Sequence, residues 1–176
     1  MFTAALGAPE TILLAGLGGL LVGSFLNVVI RRVPLMLERE WALQSAPTPS
    51  ETTSSETTPP FNVIEPRSHC PHCLAPIRAR HLVPVISWLA LRGRCASCDT
   101  PIGKRYPLVE LGTALAFAIV AARLPFDASL LGGLLFTGFL IALALIDFDT
   151  QYLPDQLTLP LLWLGLAASV VAPLAP

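Results

Sequence analysis

The chain has 176 residues and a mass of 18.8 kDa, room for one domain of ordinary size. Hydrophobic residues make up 53% of it, charged residues only 13%, and the mean hydropathy is +0.66. A soluble domain carries about 25% charged residues, so the composition argues against a soluble enzyme, a disordered chain and a nucleic-acid binder with a strongly basic surface. The net charge of −1 hides a polarised distribution, and the class that fits is an all-α polytopic membrane protein with one polar insertion.

Residues 11–30 are an uncharged run, long enough to cross a hydrocarbon core of about 30 Å as a helix. The residues before it contain Glu10 and no Lys or Arg, unlike a signal peptide. Arg31 and Arg32 follow at once, as expected where a helix leaves the membrane on the cytoplasmic side. Within this span Gly19 and Gly23, with Ala15 one step earlier, form a small-residue face suited to close packing against another helix. Asn27, near its cytoplasmic end, is expected to hydrogen-bond between helices.

A polar loop over 31–106 comes next. Residues 45–60 carry Ser, Thr, Pro and Glu with no large apolar side chain, and read as a flexible linker. Residues 61–106 read as a compact module. Its Val83, Val85, Ile86, Trp88 and Leu89 are enough for a small core but too few to hold it without a staple. Cys70, Cys73, Cys95 and Cys98 supply that staple as two C-x-x-C pairs separated by 21 residues. Two residues between thiolates let both reach one ion, and two such knuckles complete a tetrahedral zinc site. CPHCLAPI and CASCDTPI share the pattern C-x-x-C-x-x-P-I, as two equivalent knuckles facing one metal would. A redox pair lacks a thioredoxin-like context here, and disulfides would require the loop to lie outside. The module is therefore read as zinc-ribbon-like, with a closed and structural metal. His69 and His72 are expected at its surface, and His81 has no distinguishing context.

Three further spans are expected at 108–122, 129–146 and 157–175, giving about four transmembrane helices in all. The first of these is short and contains Glu110, expected to complement that helix's N-terminus or to pair with Arg105. Ten of the eleven basic residues lie between Arg31 and Arg105, against six acidic ones, a net +4. The positive-inside tendency then places the loop in the cytoplasm. Parity returns the segment 147–156 to the same side.

That segment lies in ALIDFDTQYLPDQLTLP, with three acids and no base. Asp155 follows Pro154 at the start of the last span and suits an N-cap. Asp149 reads as a solvated loop residue. Asp147 follows LIALALI directly, and is expected to sit deepest and to be the best placed for general acid–base chemistry. Such chemistry on a peptide bond uses two carboxylates sharing a proton and a water.

GSFLNVVIRRVP, the two C-x-x-C motifs, GKRYPLVEL and LIDFDTQYLPDQLTLPLLWLGL occur in this order, and together they resemble the N-terminal part of the prepilin peptidase family. The resemblance covers nearly the whole chain apart from the first ten residues and the linker. It implies a multi-pass enzyme of the bacterial inner membrane that removes the basic leader peptides of type IV prepilins and pseudopilins on the cytoplasmic side by aspartic-type proteolysis. It also implies N-methylation of the new N-terminus with S-adenosylmethionine, at residues that cannot be assigned. Asp147 matches the family's first catalytic aspartate, and Cys70, Cys73, Cys95 and Cys98 match its zinc-binding insertion. The partners implied are leader peptides and membrane lipid, with no nucleic acid. The family's second catalytic aspartate lies in a later G-x-G-D motif, and no Gly-Asp pair occurs in this sequence. The expectation is an N-terminal portion that does not cleave prepilin alone. The alternatives are a membrane-anchored zinc-binding interaction module and a truncated remnant.

Overall fold

A computed structural model of the chain describes residues 8–45, 61–65, 68–77 and 83–171; the linker beyond Ser45 and His81 lie outside them. The architecture is helical: α1 (Pro9–Ser45), α2 (Ile86–Ala90), α3 (Arg105–Arg123), α4 (Ala128–Thr150) and α5 (Asp155–Val171). Three of these, α1, α3 and α4, are long and apolar enough to cross a membrane. The apolar helix α5 is shorter over its described residues, so the fourth expected span is met by an element of 17 residues.

Helix α1 does not stop at Arg31 and Arg32. It runs for 37 residues, about 55 Å at 1.5 Å per residue, well beyond a hydrocarbon core of about 30 Å. The run from Leu35 to Gln44 is rich in Leu, Met, Glu, Arg and Ala, all good helix formers, so the helix continues once it is outside the apolar stretch. Pro34 lies inside it and removes one intrahelical donor.

The bundle is built on α1 and α3, with α4 packed on both and α5 on α4. The small-residue face read from the sequence is the contact. A Cβ on Gly19 would stand 2.6 Å from the Cα of Ala114, and one on Gly23 would stand 2.7 Å from the Cα of Glu110. Only glycine lets the two backbones approach this closely. At the end of this seam nearest the start of α3, Asn27 Nδ2 donates to the Tyr106 carbonyl at 3.1 Å, the interhelical role expected of it. Leu26, Ile30, Val109, Ala142 and Ile146 form the buried core beneath, flanked by Val22, Ile141, Leu145 and Leu157. Ile146, one residue before Asp147, is fully buried.

Candidate metal centre and aspartate corner

The two C-x-x-C segments fold into the same local structure. Cys70 N–H donates to the Ala75 carbonyl at 3.0 Å, and Leu74 N–H to the Cys70 carbonyl at 3.0 Å. Their counterparts are Cys95 N–H to Thr100 at 2.9 Å and Asp99 N–H to Cys95 at 3.1 Å. Each turn is closed by one isolated bridge, His69 with Pro76 and Arg94 with Pro101. Leu74 and Asp99 both hold left-handed backbone, at φ 57° and 54°. The internal echo in the sequence is thus a repeated knuckle, and no strand forms among the described residues. The expected ribbon is thus reduced to its turns and one bridge beside each.

The four Sγ atoms lie within 4.8 Å of one another. A tetrahedral zinc with bonds of about 2.3 Å has sulfurs about 3.8 Å apart. The Cys70–Cys98 separation is 3.8 Å, and no disulfide joins any of the four. The cluster fits such an ion, and its thiolates would fill all four positions, leaving none for a substrate. His69 and His72 are exposed and stand outside the cluster. Backbone N–H groups of Cys73 and His72 lower the Cys70 thiol. The Thr100 hydroxyl and N–H hold the Cys98 thiol at about 6. At Cys73 the Ala75 N–H acts downward, but the crowding thiols and desolvation prevail and push it up to about 11.

The small core expected of this module is largely missing. Val83, Ile86 and Leu89 are exposed, Val85 is half-buried, and so is Trp88. Its ring lies under Gly93, where a Cβ would come within 2.8 Å, and its Nε1–H donates to the Ile102 carbonyl at 3.3 Å. Too few apolar side chains are present to do more, which leaves the thiols as the main staple. The module is also fastened to the bundle. Arg32 donates to the carbonyls of Asn62 and Val63, at 2.9 and 3.3 Å, and the Arg39 guanidinium stands 3.7 Å over the Phe61 ring. Glu110, buried in α3, accepts from Val85 N–H at 2.7 Å. The expected pairing of Glu110 with Arg105 is not formed, because that arginine is used elsewhere.

Arg105 holds Asp149. Its Nη1 and Nη2 reach the two carboxylate oxygens at 2.8 and 2.6 Å, a bidentate pair joining the first residue of α3 to the end of α4. Asp149 is exposed, as the sequence implied, but it lies in the last turn of α4 and not in a loop, with both oxygens held by Arg105. Asp155 is the first residue of α5, inside the helix and not its N-cap, where a carboxylate complements the positive helix end. Asp147 is exposed and not deeply set, since its neighbour Ile146 takes the inward position on that turn. Gln151 ends α4 in left-handed backbone at φ 59°, and both its N–H and its Nε2 donate to the Asp147 carbonyl, at 2.8 and 3.0 Å. Beyond it, Tyr152 donates to the Pro34 carbonyl at 3.3 Å and packs against Trp41 with ring centroids 5.5 Å apart. The phenol's pKa is raised by burial and then by Glu38. The long extension of α1 thus overlies the aspartate corner. Neither it nor Arg105 had a local signal in the sequence, since their partners lie 118 and 44 residues away.

The described residues thus form a helical membrane bundle with a four-cysteine cluster and a corner of three aspartates at one end. The sequence profile described as "Bacterial Peptidase A24 N-terminal domain" matches residues 17–124, and that of the "Type IV leader peptidase family" matches 134–176. The chain belongs to this peptidase family. Among similar proteins, the prepilin leader peptidase/N-methyltransferase of Neisseria gonorrhoeae is 51% identical over 159 residues, covering 90% of this chain and 56% of that protein. The protein of the same name from Aeromonas hydrophila is 53% identical over 147 residues, 84% of this chain and 51% of its own length. A type 4 prepilin-like proteins leader peptide-processing enzyme of Escherichia coli is 46% identical over 156 residues, 89% of this chain and 56% of its own. The chain spans about half the length of the relatives it matches. No solved structure matches it.

Proposed function

We propose that this chain is the zinc-bearing portion of a prepilin leader peptidase, with Asp147 supplying one carboxylate of an aspartic pair. The substrates are the basic leader peptides of type IV prepilins or pseudopilins. The zinc module and Asp147 face the cytoplasm, where ten clustered basic residues mark the inner side of the membrane. Zinc at Cys70, Cys73, Cys95 and Cys98 shapes the module and takes no part in hydrolysis. N-methylation of the new N-terminus, with S-adenosylmethionine as donor, accompanies cleavage, as the relatives' name suggests.

The observation that carries this reading is the sorting of the three acids. Asp149 has both oxygens on Arg105 and Asp155 belongs to the first turn of α5, whereas Asp147 is exposed with no side-chain partner among the described residues. Hydrolysis by aspartates needs a second carboxylate to share a proton with the first. With Asp149 committed to Arg105, the chain alone is expected not to cleave, and a G-x-G-D segment supplied in trans is expected to complete the pair. A single-turnover assay on a prepilin in nanodiscs tests this, with and without that segment. Cleavage that requires the segment and disappears in Asp147→Asn supports the proposal. Mature pilin released equally by Asp147→Asn would overturn it.

A further inference from the structure

Three carboxylates, Asp147, Asp149 and Asp155, stand at one corner of the molecule, and the second of them has a partner on another helix. Asp149 meets Arg105 through two hydrogen bonds at 2.8 and 2.6 Å, so both oxygens face a single planar guanidinium. A fork-to-fork contact fixes distance and orientation together, which a single bond does not. It also joins two different helices: Arg105 is the first residue of α3, and Asp149 lies in the last turn of α4.

The other contacts of that last turn are local. Thr150 Oγ1 donates to the Ile146 carbonyl at 2.8 Å, and Gln151 donates twice to the Asp147 carbonyl. These hold the turn together but do not place it against the rest of the bundle. Beyond Ile146, which is buried in the core, two side chains do that. Asp149 ties the turn to α3, and Tyr152 ties the following residue to α1 through the Pro34 carbonyl and Trp41. Asp147 stands between the turn's buried anchor, Ile146, and these two fastenings.

We propose that Asp149 is a positioning residue and not a reacting acid: through Arg105 it sets where the end of α4, and with it the Asp147 carboxylate, stands. The inference rests on the reading of Asp147 as a reacting group. It separates two neighbouring acids by what their oxygens can do. Each Asp149 oxygen is aimed at the guanidinium, whereas the Asp147 oxygens have no partner among the described residues and are the ones left to meet a second acid and a water. The pair is partly exposed, with side chains 48% and 30% accessible, so it adds little to global stability. Its loss therefore changes geometry without unfolding the bundle.

Hydrogen exchange on the full chain in nanodiscs reads this directly. Asp149→Asn and Arg105→Gln should speed exchange over residues 148–152 by about tenfold, leaving α1 and the zinc content unchanged. Asp149→Glu and the swapped pair Arg105→Asp with Asp149→Arg should restore most of the protection. Unchanged exchange in the single variants, or no recovery in either compensating variant, overturns the proposal. The cleavage assay described above supplies the second readout. Extended to multiple turnovers, it should show Asp149→Asn lowering kcat by at least about tenfold with KM unchanged and Asp149→Glu recovering it, because small displacements of a reacting group are costly. If Asp147→Asn abolishes cleavage while Asp149→Asn does not slow it, the function stands and the positioning role falls. If Asp147→Asn cleaves normally, the function falls and the positioning role falls with it.

Discussion

The four-cysteine module and the aspartate corner face the same end of the bundle but are organised by different means. In the module, each pair of thiols is set by a short turn whose hydrogen bonds span four or five residues, and the same turn is used twice. In the corner, the last turn of α4 is placed by side chains 44 and 118 residues apart in sequence. One site is assembled by two local turns that bring four thiols together, the other by the packing of helices. The two should therefore fail differently.

The largest effect should come from removing ligands. Cys70→Ser combined with Cys95→Ser is expected to abolish zinc binding, forfeiting a metal free energy of about 10–16 kcal/mol. Metal analysis should fall from one ion per chain to none. Hydrogen exchange should rise over residues 68–77 and 94–102 while α1 and α3 keep their protection. If the bundle melted as well, the two regions would not be independent. The same site should weaken as pH falls, because protons compete with the metal for thiolates. Cys73, pushed up to about 11, is already protonated at neutral pH without metal, and Cys98, at about 6, joins it below that value. A chelator competition series from pH 8 to 5 should show affinity falling throughout and more steeply below pH 6.

The reverse experiment acts on the bundle. Gly23→Leu places side-chain atoms where the α3 backbone stands 2.7 Å from a Cβ, and overpacking of this kind costs about 1–3 kcal/mol. Thermal unfolding in detergent should show the loss. Cleavage should suffer through the displaced corner, and zinc stoichiometry should stay at one. A variant that lost zinc and kept its helix packing would reverse the comparison.

Glu110 sits where the two regions join. Glu110→Ala leaves the Val85 N–H without its acceptor, a cost of about 1–3 kcal/mol, and Glu110→Gln keeps an acceptor in place. Exchange at residues 85–90 should rise in the first variant and much less in the second. The smallest effect should be a gain. Leu74→Gly relieves left-handed backbone at a side chain that is 70% exposed, with a net benefit under about 1 kcal/mol, visible as slightly slower zinc release. Slower release would show that the turn itself, beyond its thiols, helps to hold the metal.

Much of this was legible before any coordinates. The four cysteines announce their cluster because two-residue spacing is a ligand geometry, and the repeated P-I places equivalent turns on either side. Gly19 and Gly23 announce the α1–α3 seam because a spacing of four returns to the same helical face, and Asn27 falls on the interhelical contact expected of it. Other features had no local mark. The polar extension of α1 was hidden by Arg31, Arg32 and Pro34, which end an apolar segment without ending the helix. The module's apolar residues suggested a core, yet Val85 and Trp88 are only half-buried and the rest are exposed, because so small a fold has almost no interior. Asp147 seemed the deepest acid from its place after LIALALI, but helical periodicity gives the inward direction to Ile146 instead.

Composition, spacing and periodicity thus determined that the chain spans a membrane with helices, that its cysteines converge, and that acids gather where α4 ends. All three are properties of short segments, and short segments are what a sequence displays. Which acid is tied, which is left free, and which basic residue does the tying were decided only when α1 and α3 packed through their glycines and brought Arg105 and Pro34 to the corner. Contacts across long stretches of chain depend on how helices meet, and no local pattern records that.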